Sequence, residues 1–131
     1  MNSDHWLFTF LFILIELWKF ETENDNCLLT DTDDYYPLRV KWHDTVILVC
    51  NTSNSSEVVW TLNATDPFTG YHYVYVNGSI VDYINFLATY SVVNSTNLKI
   101  YNMYPVDSGC YDCYETNGAR VTGYYVVAEG I

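Results

Sequence analysis

Basic residues are scarce. The 131-residue chain has five Lys and Arg against 16 Asp and Glu, a formal net charge of −11. Nucleic-acid binding needs a positive footprint, so that class of partner is excluded. Docking on an anionic membrane is excluded on the same ground. Catalytic constellations are absent too: there is no Gly-x-Ser-x-Gly elbow, no phosphate-cradling glycine loop and no carboxylate pair placed for acid–base work. His5, His43 and His72 are scattered and form no paired zinc-binding motif. The acidic run Asp31-Thr32-Asp33-Asp34 lacks the glycine and distal glutamate of a calcium loop and reads as a solvated loop. No cofactor, metal or enzymatic activity is therefore expected. After the first twenty residues no second long apolar run occurs, and the end Val126–Ile131 is neither a membrane span nor a lipid-anchor signal.

What the chain does contain is apolar and aromatic. Half of it is hydrophobic, 18% is aromatic, 13 residues are tyrosine and only 16% is charged, so one domain with a core is expected. The run Trp6–Leu17 (WLFTFLFILIEL) is too short to span a bilayer comfortably but suits a signal-peptide core. Residues 1–20 are expected to be that signal, with cleavage between Leu17 and Asp25, an uncleaved anchor being the alternative. Residues 21–34 then form an acidic segment and 35–131 the folded domain. Five glycosylation sequons begin at Asn51, Asn54, Asn63, Asn77 and Asn94. Together with four cysteines they point to the secretory route and an oxidising compartment. A secreted glycoprotein is the expectation.

Period-two alternation runs through the mature chain. Pro37–Trp42 reads as an edge strand, because proline sits comfortably at a strand start or edge. Val46, Leu48 and Cys50 share one face of Thr45–Asn51, and Val58, Trp60 and Leu62 share one face of the next strand. Tyr71–Val76 places Tyr71, Tyr73 and Tyr75 on one side and His72, Val74 and Val76 on the other. Asn77-Gly78 and Asn117-Gly118 are hairpin signals. Ser79–Asn85 and Phe86–Val93 are two further strand candidates, followed by the apolar spacing Leu98, Ile100, Met103. Cys110–Glu115 and Val121–Ala128 complete about nine strands.

The stretch Asp107-Ser108-Gly109-Cys110-Tyr111-Asp112-Cys113 resembles the immunoglobulin superfamily pattern Asp-x-Gly-x-Tyr-x-Cys at every fixed position. The resemblance covers residues 35–128 and implies an all-β Greek-key sandwich, with Trp60 packed on an inter-sheet Cys50–Cys113 disulfide. The separation of those two cysteines and the extra strand pair favour the variable type over the constant type. One departure stands out. Variable-type domains usually pair the corner aspartate with a basic residue, yet Asn77–Asn97 contains no Lys or Arg, so Asp107 is left to backbone donors. Cys27 and Cys110 remain. They pair with each other, stapling the N-terminal segment to the strand after the corner, or they pair between chains. The Cys110-x-x-Cys113 spacing is that of a redox motif, but it lies on a predicted strand rather than at a helix start.

Sandwiches host many functions, so function has to come from a surface. The tyrosines offer one: Tyr71, Tyr73, Tyr75, Tyr114 and Tyr124 or Tyr125, with Arg120 nearby, are expected on the outer face of the sheet. Tyrosine supplies large contact area at low entropic cost. The resemblance implies that this face binds a protein partner, such as an immune or adhesion receptor, and a single variable-type domain of this kind looks like the soluble immune modulators of some large viruses or, equally, a host's secreted recognition protein. The alternatives are a homophilic module forming a symmetric dimer, and cross-strand aromatic pairing that merely stabilises the sheet. A glycan at Asn63 would shade part of the face.

Overall fold

The computed structural model describes residues 34–52 and 57–130. The expected signal and most of the acidic segment, Cys27 and the Asn54 sequon lie outside the described residues. The described residues form nine strands: β1 (Tyr36–Lys41), β2 (Val46–Leu48), β3 (Val58–Ala64), β4 (Tyr71–Val76), β5 (Ser79–Ile80), β6 (Thr89–Val93), β7 (Asn97–Tyr101), β8 (Gly109–Glu115) and β9 (Arg120–Glu129). They build a six-stranded sheet, β1-β9-β8-β3-β4-β5, facing a three-stranded sheet, β2-β7-β6. Only β1 and β9 run parallel. This is the variable-type immunoglobulin-like sandwich that the sequence pattern implies.

The core forms where the inner faces meet. Trp60 sits in register opposite Cys113, and Leu62 opposite Tyr111. Cys113 is bridged to Cys50, two residues past the end of β2 in the other sheet. Trp60 has no exposed surface, and its indole N–H donates to the Thr96 carbonyl at 2.9 Å, so the one polar atom of a large buried ring is satisfied. The bridge closes a separation of 63 residues, roughly 4 kcal/mol in the chain-entropy treatment.

Three expected strands come out shorter, for local reasons. β2 ends at Leu48 rather than Asn51, because side chains take over the next backbone groups: Cys50 N–H donates to Asn97 Oδ1 and Cys50 C=O accepts from Thr96 Oγ1, both at 2.9 Å. Residues 81–88, read from sequence as strand, mostly leave the sheet. There Asn85 Nδ2 donates to the Phe68 carbonyl at 3.0 Å, and the rings of His72, Tyr83 and Phe86 cluster. The Leu87 and Ala88 N–H groups turn away to a carboxylate.

That carboxylate is Asp107, fully buried at the end of the 3-10 turn Pro105–Asp107. Its oxygens accept from the N–H of Leu87 (3.2 Å), Ala88 (2.9 Å) and Tyr104 (3.3 Å). Backbone donors thus replace the missing basic residue. Burial pushes the Asp107 carboxyl above its ordinary range, while the three amides pull the other way. The Tyr111 hydroxyl donates to the Asp107 carbonyl and accepts from the Tyr90 hydroxyl at 2.8 Å. Gly109 is required here, since a Cβ on it would come within 2.3 Å of the Asn63 carbonyl oxygen.

Replacing Tyr111 by Phe orphans both the Asp107 carbonyl and the Tyr90 hydroxyl. We expect it to cost about 1–3 kcal/mol in urea unfolding with an unchanged denaturant slope. Tyr90→Phe, which leaves the Tyr111–Asp107 bond in place, should cost distinctly less. Equal losses would show that the corner bond carries no special weight.

Candidate functional site

Register decides which tyrosines face outward. On β8, Tyr111 and Cys113 point into the core, so Cys110, Asp112 and Tyr114 take the opposite face. Tyr124 pairs with Tyr111 and Tyr125 with Cys110. Tyr124 therefore turns inward: its ring stacks on Trp60 at 6.4 Å, and its hydroxyl donates to the Val49 carbonyl at 2.6 Å. Tyr125 is the residue of this pair that lies on the outer side. On β4 the simple alternation fails. Tyr73 pairs with Thr61 but Tyr75 pairs with Trp60, so one extra residue is inserted as a bulge. Tyr71 and Tyr73 stay outside, Tyr75 packs against the core, and Val76 joins the outer face instead.

The outer face has two halves. Over β8 and β9, Asp112 is nearly buried and receives Arg120 Nε at 2.7 Å and the Tyr35 hydroxyl at 3.1 Å. Arg120 Nη2 donates to the Asp34 carbonyl at 2.8 Å, and its guanidinium lies 4.7 Å over the Tyr35 ring. Gly123, in register with Asp112, makes room for the cluster. A Cβ there would meet Arg120 Nη2 at 2.1 Å, Asp112 Oδ1 at 2.7 Å and Tyr35 Cε1 at 2.8 Å. Arg120 is thus anchored within the chain through Nε and Nη2 while the residue itself stays exposed. Burial works to lower its pKa, but the hydrogen bond and charge of Asp112 outweigh that and raise it. Burial, then the charge and hydrogen bond of Asp112, push the Tyr35 phenol up to about 12. Cys110, fully buried on this half, is disulfide-bonded. Its expected mate, Cys27, lies outside the described residues.

Over β8, β3 and β4 the face is open. Tyr71 and Tyr73 are 57% and 52% exposed and meet edge to face at 6.4 Å. With Tyr114, Val59, Thr61, Val76 and Glu115 they line a cavity of about 350 Å³. Burial raises the Tyr114 phenol, as do Asp112, Tyr71 and Tyr73 close by. The Thr61 hydroxyl beneath is buried without a hydrogen-bond partner among the described residues. Asn63, half-buried, sits beside Tyr71 at one end of this face. Asn51, Asn77 and Asn94 are exposed, the last two in positive-φ positions between paired strands. Among the described residues no group of three or more His, Cys, Asp or Glu is placed to hold a metal. No described helix is long and apolar enough to cross a membrane.

The Tyr35 cluster yields a titration test. A folded-state pKa above the unfolded value of 10 means that this group's contribution to stability is complete below pH 10 and is lost as pH rises through about 12. Ultraviolet titration should show Tyr35 ionising well after the exposed tyrosines. Gly123→Ala, which expels the cluster, and Asp112→Asn, which removes the charge, should each bring it back toward 10. An unmoved titration in both variants would mean that the cluster does not form.

No family profile matches the chain, and no curated protein matches it in sequence. Solved structures do resemble it. Drosophila semaphorin 2a superposes with a TM-score of 0.55 at 19% identity, over 74% of this chain, which spans only 14% of the semaphorin's length. The ZIG-8–RIG-5 heterodimer of first immunoglobulin domains gives 0.51 at 17% identity, covering 72% of this chain and 82% of that one. An extracellular fragment of novel immune-type receptor 11 gives 0.51 at 18% identity, covering 74% and 97%. At such identities the likeness speaks for the fold, and it agrees with the strand order and the inter-sheet bridge: the chain is a variable-type immunoglobulin-like β-sandwich.

Proposed function

We propose that this chain is a secreted, glycosylated binding domain that engages a protein at a cell surface, an immune or adhesion receptor, through the tyrosine-bearing outer face of β8, β3 and β4. The observation that carries the reading is the pair Tyr71 and Tyr73, more than half exposed around a cavity on a sheet face that the opposite sheet does not cover. Rigid amphipathic rings in that setting suit an interface better than a sheet-stabilising pair, which would be covered. Support for an extracellular setting comes from the N-terminal apolar run, the sequons and the disulfides. The immune-type receptor fragment among the similar structures is itself extracellular. A soluble decoy is the form of this function we favour.

Charge favours an unlike partner. Self-association through this face would bring together two chains of net charge −11, whereas a basic partner gains from it. The ZIG-8–RIG-5 structure is a heterodimer, a pairing of the kind envisaged here.

The secreted protein is expected to bind receptor-bearing cells, and the double variant Tyr71→Ala, Tyr73→Ala to lose at least about tenfold in affinity with its unfolding midpoint nearly unchanged. Unaltered binding would move the interface elsewhere. Sedimentation at high concentration should show a monomer; a dimer abolished by the same substitutions would establish the homophilic alternative instead.

A further inference from the structure

Within the face just assigned, and resting on that assignment, the geometry points to a pocket for one cationic side chain of the partner, an arginine guanidinium. Three independent features converge on it. The first is aromatic: Tyr71, Tyr73 and Tyr114 surround the same 350 Å³ cavity, and the faces of phenol rings carry the negative part of their quadrupole, which attracts a cation. The second is charge. The chain carries a net charge of −11, and none of the described residues lining the cavity is cationic; Glu115 reaches its rim, with its carboxylate held by the Thr52 hydroxyl at 3.1 Å. No described cation competes for the site. Arg120 is held by Asp112; Arg39 and Lys41 lie on β1 at the far edge of the sheet, and Lys99 is on β7 in the other sheet.

The third feature is an unmet acceptor. Thr61 is 2% exposed and forms part of the cavity lining, yet its Oγ1 has no hydrogen-bond partner among the described residues. A buried hydroxyl left unpaired costs stability, and a ligand donor would recover it. Guanidinium carries five N–H donors and no acceptor, is planar enough to lie against a tyrosine ring, and is more weakly hydrated than an ammonium. It is the cation that meets all three features at once.

The test is a nuclear magnetic resonance titration of the whole secreted protein with Nα-acetyl-arginine amide, and with its neutral isostere, the citrulline derivative. The arginine compound should shift the ring signals of Tyr71, Tyr73 and Tyr114 saturably, with the citrulline compound at least about tenfold weaker. Tyr73→Ala should abolish the effect, while Tyr73→Phe, which keeps the ring face, should retain it. Thr61→Val should weaken it severalfold without disturbing the tyrosine rings. Equal binding of the two compounds, shifts that survive Tyr73→Ala, or no shift at all would overturn the assignment. If the arginine compound fails while cell binding still depends on Tyr71 and Tyr73, the face stands and the cation pocket falls. If the compound binds while cell binding is indifferent to those tyrosines, the pocket stands and the larger interface falls.

Discussion

Everything in this domain hangs on β3 and its contact with β8. Trp60 and Cys113 face each other across that pair, and the bridge from Cys113 to Cys50 ties the six-stranded sheet to the three-stranded one. Once that alignment is set, alternate residues fall to opposite sides with no further choice. Leu62 and Tyr111 go inward beside the indole, while Thr61, Asp112 and Tyr114 go outward. The inner set makes the core; the outer set makes the floor of the candidate interface. A shift of one residue would exchange them.

Much of this was legible in the sequence because the signals are local or strongly patterned. Asp107-Ser108-Gly109 marks a corner through its turn chemistry, and Asn77-Gly78 marks a hairpin that the structure forms with both residues at positive φ. The absence of Lys and Arg from 77–97 correctly implied that Asp107 would rest on backbone amides. What could not be read was register. The string YHYVYV alternates perfectly, yet a bulge opposite Trp60 and Thr61 turns Tyr75 onto the core. Nothing in six alternating residues says where an extra one is inserted. Likewise, Tyr124 and Tyr125 are adjacent and equivalent in sequence, and only their pairing with Tyr111 and Cys110 separates them. The Arg120–Asp112 ion pair was not legible either, because Asp112 lies on the other arm of a hairpin whose bulge sets their approach.

The outer face is divided by chemistry as well as by shape. On one half, a carboxylate, a guanidinium and a phenol satisfy one another over Gly123, and the segment at Asp34 and Tyr35 lies across them. Groups so mutually engaged have little left to give a partner. On the other half, exposed rings surround a cavity whose lining includes a hydroxyl that no described residue pairs. On the proposed reading, what a partner would meet is the part of the face around Tyr71, Tyr73 and Tyr114, away from the Asp112 cluster.

The borders of the two sheets bear on how such molecules meet at high concentration. The outermost strand β1 presents Pro37, Arg39 and Lys41, a ring without an amide hydrogen and two charges, and β5 at the opposite border is only two residues long. β2 offers three. Backbone ladders need length to propagate from one molecule to the next, so lateral zippering into fibrils is blunted at these three margins. Among the described strands, the fourth border, β6, has five residues with neither proline nor charge, and Asn94 at its turn is where a sugar would stand guard over it.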